Sequence, residues 1–172
     1  GMELAGEIEA IGKDVSQFQS GDQVYGNAGT GLGTYAEYIC LSEGAALAIK
    51  PANLTFEEAA ALTNGALTAL PFLREKGNIQ KGQKVIINGA SGTVGSAAVQ
   101  IAKYYGAEVT GVCSTSSLEL VKSLGADQVI DYTAEDIAEV ADTFDILFDV
   151  AGKSTFARTK HLLRPGGIFL AT

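Results

Sequence analysis

Hydrophobic and polar residues alternate along this chain with two different periods, and the change falls near Pro51. Before Pro51, runs such as ELAGEIEAI, DQVYG and TYAEYICL alternate with a period of about two, and glycine-rich segments interrupt them. That period is typical of half-buried strands, and glycine is typical of the turns between them. The pattern predicts a small, mostly antiparallel β unit over this first part.

After Pro51 the pattern predicts strands and helices in alternation. Residues 53–76 have helical spacing, and Thr55 with Glu58 three residues later forms a capping box at the start. Strand-like runs then alternate with four predicted helical stretches. The strand-like runs are KVIING, AEVTGV, QVIDY, FDILFDV and GGIFLAT, and the helical stretches are 93–105, 116–124, 134–141 and 153–163. This alternation predicts a parallel sheet with helices on both faces.

A glycine-rich loop, GASGTVG, joins the strand-like run at 85–87 to a helix with one apolar face. In such a loop, free N–H groups and the positive end of the helix dipole attract a pyrophosphate. The pattern is A-x-G-x-x-G, with Ala90 where the usual first glycine would fall. Gly92 lets phosphates approach the backbone, and Gly95 lets the helix pack close to its strand. The alternative is a tight turn that binds no ligand.

The loop is predicted to hold a dinucleotide, and the strand after it indicates which one. The loop residues are Ala90, Ser91, Gly92, Thr93, Val94 and Gly95. The next strand ends near Val112, where the ribose of the adenosine would lie, and Cys-Ser-Thr-Ser-Ser follows instead of Asp or Glu. The hydroxyls of Ser114 and Thr115 can donate to a 2′-phosphate that a carboxylate would repel, so NADPH is favoured over NADH. The alternative role of this serine run is a helix N-cap, and no arginine stands there to pair with the phosphate.

Segments along the whole chain resemble the medium-chain dehydrogenases/reductases, in the zinc-independent, quinone-oxidoreductase-like branch. They are GMELAGEIEAIG, FQSGDQVYG, ALTNGALTAL, INGASGTVGSAAVQIAK and LLRPGGIFLAT. The resemblance implies an α/β fold in two parts. Residues 1–62 would form a partial GroES-like catalytic domain with its linking helix, and residues 63–172 a Rossmann NAD(P)-binding domain with a doubly wound parallel sheet. It also implies a homodimer, and a partial chain whose Rossmann sheet lacks its last strand.

The resemblance implies an activity and further site residues. The activity is hydride transfer from NADPH to a conjugated carbonyl compound, namely a quinone, an enone or an enal. Asn64 and Thr68 in ALTNGALTAL become candidate catalytic residues near the nicotinamide, with helix capping and packing as the alternative. Ala151 and Gly152 would bring backbone near the nicotinamide. Tyr132 would lie near the adenosine phosphate, or would be an ordinary aromatic residue at a strand end.

The resemblance also bears on zinc. Members that use zinc carry Gly-His-Glu where this chain has Gly1, Met2 and Glu3, and a thioether is a poor zinc ligand. No Cys or Asp stands near Asn64, and the four closely spaced cysteines of a structural zinc lobe are absent. We therefore predict that no zinc is bound.

Charge and composition limit the partners. The net charge of −8, with no basic patch, argues against a nucleic-acid partner. No apolar stretch reaches membrane-spanning length and no signal peptide opens the sequence, so we expect a cytoplasmic protein that acts on a small molecule and does not bind a membrane. The two cysteines form neither a disulfide framework nor a metal-binding spacing. Cys40 is expected in the core, and Cys113 as a small buried residue at a strand end.

Two other classes of protein are alternatives. A short-chain reductase also carries a glycine-rich loop, but near its start and with a Tyr-x-x-x-Lys pair, which this chain lacks. The alternative outside the enzymes is an NADP(H)-binding protein without turnover, with a structural, sensory or assembly role. His161 is the only histidine and lies away from any candidate nucleophile, so no hydrolase triad is indicated.

Overall fold

The computed structural model describes residues 1–172, which divide into two compact units, Gly1–Asn64 and Gly65–Thr172. The first unit contains an antiparallel sheet of three strands in the order β1-β2-β3. The strands are β1 (Glu3–Glu7), β2 (Gln23–Asn27) and β3 (Ala46–Ile49). The expected antiparallel β unit is confirmed.

One predicted strand of this unit is absent. The segment TYAEYICL forms bends and irregular structure, Tyr35 is 94% exposed, and Cys40 is exposed rather than in the core. Alternation alone does not make a strand, because a strand needs a hydrogen-bonded neighbour. The three strands of this sheet pair only with one another.

The predicted capping box opens the first helix. The N–H of Thr55 donates to the Glu58 carboxylate at 2.9 Å, and the N–H of Glu58 donates to the Thr55 hydroxyl at 3.2 Å. Helix α1 (Phe56–Pro71) follows, and it continues into a π-helical turn at Phe72–Lys76. The reciprocal bonds satisfy N–H groups that would otherwise be free at a helix start.

The second unit is built on a parallel sheet of five strands in the order β6-β5-β4-β7-β8. They are β4 (Lys84–Asn88), β5 (Glu108–Cys113), β6 (Gln128–Asp131), β7 (Phe144–Asp149) and β8 (Leu163–Ala171). The first strand of this unit, β4, is the central strand of the sheet. The next two strands, β5 and β6, lie on one side of β4, and β7 and β8 lie on the other side. This is the doubly wound Rossmann arrangement that the sequence predicts.

Helices α2 (Thr93–Tyr104) and α3 (Leu118–Ser123) belong to the core on one face of the sheet. Phe72 stacks on Phe148 in this layer, with ring centroids 5.4 Å apart and an interplanar angle of 13°. Burial of aromatic and branched side chains here stabilises the unit. No helix in the chain combines the length and apolar character that crossing a membrane requires.

The opposite face is covered by shorter elements than the sequence predicts. The predicted helix at 134–141 is a single 3-10 turn, Ile137–Glu139, and the predicted helix at 153–163 is α4 (Phe156–Thr159) followed by a 3-10 turn. The Asp136 carboxylate accepts the N–H of Ala138 and caps the turn, and extended backbone at Val140 ends it. The apolar residues of both segments still pack against the sheet, so their hydrophobic side chains are buried although the segments form only short helical turns.

Candidate functional site

A cavity of about 820 Å³ opens at the carboxyl ends of the central strands of the second unit. It lies where the chain order reverses between β4 and β7, which is the usual ligand site of an open parallel sheet. The predicted residues that line it are Ser91, Gly92, Thr93, Val94, Gly95, Ser114, Tyr132 and Ala151. Other lining residues include Asn88, Thr133, Glu135, Asp136, Lys153, Ser154 and Arg158.

The glycine loop presents the start of α2 to this cavity. Gly92 is the N-cap of the helix, and no side chain caps it. The N–H groups of the first helical turn therefore have no side-chain acceptor, and the positive end of the helix dipole faces the same space. This arrangement suits an anionic group such as a phosphate.

Gly92 and Gly95 have different surroundings. A Cβ on Gly95 would lie far inside van der Waals distance of the Gly89 carbonyl oxygen and 2.8 Å from Cα of Ala90, so the protein itself requires glycine there. A Cβ on Gly92 would meet only the Gly89 oxygen, at 3.5 Å. The backbone of Gly92 (φ −77°, ψ 173°) suits any residue. The open space beside Gly92 is therefore the cradle that a bound phosphate would fill.

A second close approach brings α1 against this loop. A Cβ on Gly65 would overlap the carbonyl oxygen of Thr93, so α1 and the start of α2 touch through backbone. Sequence analysis missed the role of Gly65, although an isolated glycine inside a helical pattern is the signal for such contact. Thr68, one turn further along α1, is half-buried and does not line the cavity.

Asn64 is the last residue of the first unit, and it is not among the residues that line the cavity of the second unit. Its N–H donates to the Glu3 carboxylate at 3.1 Å, and the Thr63 hydroxyl lies 3.5 Å from the same oxygen. Glu3 is thus engaged with α1. The proposed catalytic role of Asn64 and Thr68 remains a prediction.

The serine run after β5 contains two predicted cofactor-binding residues, Ser114 and Thr115, and the two make different contacts. Ser114 lines the cavity, whereas Thr115 is not among the lining residues, and its hydroxyl donates to the Asp131 carboxylate and lies 2.9 Å from the Thr133 hydroxyl. The bonds from Thr115 and Thr133 hold the pKa of the Asp131 carboxyl below its ordinary value, so Asp131 is charged at neutral pH. The Ser114 hydroxyl lies 3.2 Å from the Ser116 hydroxyl and 3.5 Å from that of Ser117, and of the two predicted residues Ser114 is the one at the cavity.

The remaining predicted residues lie around the cavity as follows. Ala90 is fully buried below the loop and belongs to the core. Tyr132, after β6, is 60% exposed, and its ring is available at the cavity. Ala151 lines the cavity, and Gly152 follows with a positive φ of 63°, which lets the chain turn there.

A polar network at the ends of β4 and β7 was missed by the sequence analysis. Asn88 and Asp149 are the last residues of these two strands, both are buried, and the Asn88 amide donates to the Asp149 carboxylate at 2.9 Å. The available signal was a polar residue closing each of two apolar runs, because neighbouring parallel strands end at the same sheet edge. Asn88 lines the cavity beside the glycine loop, and Asp149 lies behind it, outside the lining.

The two cysteines should react differently with thiol reagents. Cys113 is 1% exposed, and burial, with a smaller contribution from the Asp131 charge, raises its pKa, so it remains a thiol at neutral pH. Cys40 is exposed. With DTNB at pH 7.5 we expect one fast-reacting thiol, lost in a Cys40→Ser variant, and a second only after denaturation. Rapid labelling of both thiols in the folded, unsubstituted chain would contradict the buried position of Cys113.

No group of three or more His, Cys, Asp or Glu side chains is arranged to hold a metal ion. At the Gly-Met-Glu segment, Glu3 accepts hydrogen bonds from α1, and Met2 supplies a thioether. These residues do not fit a zinc site.

The doubly wound sheet, with a glycine loop and a cavity at its switch point, defines a Rossmann-type nucleotide-binding unit. Two family models match the chain: the alcohol dehydrogenase GroES-like domain over residues 1–51, and zinc-binding dehydrogenase over residues 93–171. The chain belongs to the medium-chain dehydrogenase/reductase superfamily, as the sequence resemblance indicated.

Similar proteins include two curated plant proteins and a bacterial quinone oxidoreductase of known structure. The 2-methylene-furan-3-one reductase of Solanum lycopersicum is 40% identical over 97% of this chain and 44% of its own length. The NADPH-dependent alkenal/one oxidoreductase, chloroplastic, of Arabidopsis thaliana is 38% identical over 99% of this chain and 46% of its own length. The structure of the quinone oxidoreductase from Coxiella burnetii matches with a TM-score of 0.89 at 32% identity, over 99% of this chain and 54% of that one. The chain thus spans less than half the length of these two curated relatives.

Proposed function

We propose that this chain is part of an NADPH-dependent oxidoreductase that transfers hydride to a conjugated carbonyl compound, namely a quinone, an enone or an enal, without a catalytic zinc ion. The observation that carries the proposal is the uncapped start of α2 beside the open space at Gly92. The names of the tomato and Arabidopsis relatives, both reductases of conjugated carbonyl compounds, support the substrate class.

Different residues of the second unit would bind different parts of the cofactor. The backbone N–H groups of the glycine loop would bind its phosphates, and Ser114 would donate to a 2′-phosphate. Tyr132 would lie at the adenosine phosphate, and Ala151 with Gly152 would lie beside the nicotinamide. A bound NADPH would supply the hydride.

Asn64 and Thr68 are proposed to act near the nicotinamide. The Asn64 N–H donates to Glu3, but neither the Asn64 side-chain amide nor the Thr68 hydroxyl is hydrogen-bonded to another side chain, so both groups are free to meet a ligand. We propose that no zinc is bound for two reasons. Met2 stands where zinc-using members have histidine, and the Glu3 carboxylate accepts a hydrogen bond from the Asn64 N–H of α1. A homodimer and a cytoplasmic location also remain proposals.

A fluorescence titration of the chain with NADPH and NADH tests the cofactor and its selectivity. We expect NADPH to bind at least about tenfold more tightly, or about 1.4 kcal/mol. Ser114→Asp should remove this preference, because it places a carboxylate where the 2′-phosphate would lie. Ser123→Asp makes the same charge change at an exposed position away from the cavity and should leave the preference unchanged.

The possible results separate the parts of the proposal. Equal binding of both cofactors would remove the role of Ser114 but keep a nucleotide site. Binding of neither would overturn the cofactor assignment. Tight NADPH binding in a full-length protein that fails to oxidise NADPH with any quinone, enone or enal would favour a binding protein without turnover.

A further inference from the structure

Asp149 is a buried carboxylate with an unusual set of partners. It is 1% exposed and forms no ion pair with a cation. Instead, it accepts from the Asn88 amide at 2.9 Å and from the N–H groups of Ala151 and Ser154 at 3.2 and 2.9 Å. Burying a charge is costly, and these three donors offset that cost. The positions of these three donors show which segment of the chain the Asp149 carboxylate holds in place.

Two of the three donors belong to the loop that follows β7. Asp149 therefore fixes residues 150–154 from within, as the N–H groups of Ala151 and Ser154 converge on one carboxylate. The Asn88 amide also lies 3.2 Å from the Ser154 hydroxyl. Since Asn88 ends β4 directly before the glycine loop, the loop after β7 is held beside the glycine loop.

The loop after β7 presents Lys153 to the cavity. Of the two cationic residues in the lining, Arg158 is paired with Asp136, whereas Lys153 forms no ion pair. The chain is acidic overall, and Glu135 and Asp136 also line the cavity. A ligand with two phosphate charges therefore finds one unpaired cation in the same cavity as the start of α2.

We propose that Lys153 binds the pyrophosphate of the dinucleotide, and that Asp149 is the positioning residue for the loop that carries it. This inference rests on the proposed function. Lys153 follows β7, beside β4 and the glycine loop, whereas Ser114 follows β5 at the end assigned to the 2′-phosphate. Lys153 should therefore contribute equally to the binding of NADPH and NADH.

Lys153→Gln tests the charge contact. We expect the dissociation constants for NADPH and NADH to rise by the same factor, about fivefold, with their ratio unchanged. Lys153→Arg keeps the charge and should stay within about twofold of the original chain. Lys160→Gln removes an exposed cation from outside the cavity lining and should change neither constant. The affinity of Lys153→Gln should also fall less steeply with added NaCl.

Each outcome decides between the two proposals. If the original chain binds NADPH but Lys153→Gln binds it equally well, this inference is wrong and the proposed function stands. If only NADPH binding weakens, Lys153 meets the 2′-phosphate and the pyrophosphate assignment is overturned. If the original chain binds neither cofactor, the proposed function fails and takes this inference with it.

The positioning role is tested by coupling. Asp149→Asn should weaken both cofactors about as much as Lys153→Gln, and the double variant should lose little more, because both changes remove one contact. Additive losses would overturn the positioning role. An Asp149→Asn chain that does not fold, as judged by circular dichroism, would also overturn it, and Lys153→Gln would still decide the pyrophosphate contact.

Discussion

Gly92→Ala is expected to weaken NADPH binding about a hundredfold while the chain stays folded. The backbone at Gly92 accepts any residue, and an added Cβ meets only the Gly89 oxygen at ordinary contact distance, so folding should change by no more than about 1 kcal/mol. The methyl group would instead occupy the cradle and hold a phosphate away from the N–H groups of α2. Losing charge-assisted hydrogen bonds worth about 1.5–3 kcal/mol each accounts for the factor.

The measurement is a fluorescence titration paired with a thermal melt. Gly12→Ala is the matched control, because a Cβ there also meets only one atom, a Val15 methyl carbon at 3.8 Å, and lies far from the glycine loop in sequence. It should bind NADPH as the original chain does. A Gly92→Ala protein with unchanged affinity would show that no phosphate approaches this backbone, and the proposed function would lose its main support.

Gly95→Ala should have the opposite result, with loss of stability as its primary effect. The new Cβ would overlap the Gly89 carbonyl oxygen and lie 2.8 Å from Cα of Ala90, and these are backbone atoms that cannot rotate aside. Helix α2 would have to move away from β4. We expect a cost of about 3 kcal/mol, and a fall in Tm of about 6–12 °C for a chain of this size.

Circular dichroism melts of Gly95→Ala and Gly92→Ala, recorded without cofactor, separate the two roles. The two substitutions add the same methyl group three residues apart, so the difference between their melts reports only on the surroundings. If Gly95→Ala melts within about 2 °C of the original chain, α2 can shift without loss, and the close packing seen here does not determine stability.

Much of the second unit could be predicted from local sequence. Continuous apolar runs at βαβ spacing indicated the parallel strands, and Thr55 with Glu58 indicated the helix start, because both signals depend on residues close together in the chain. The glycine loop was also recognisable, since a tight turn from strand to helix needs glycine at fixed spacing. These features formed as predicted.

The errors have a common cause in contacts between distant segments. TYAEYICL alternates like a strand, but no neighbouring strand pairs with it, and Cys40 is exposed as a result. The stretch at 134–141 has helical spacing, but Asp136 caps a single turn there and pairs with Arg158. Local propensity predicts what a segment can form, whereas its neighbours decide what it does form.

The sequence by itself determined the parallel sheet, the glycine loop and the family, because each depends on the order and spacing of nearby residues. Only the tertiary structure decided which polar groups meet at the cavity. Asn88 and Asp149 are 61 positions apart in the chain and join only because β4 and β7 are neighbours. The same folding turns Thr115 towards Asp131 and leaves Lys153 as the unpaired cation, since pairing depends on distance in space and sequence records only distance along the chain.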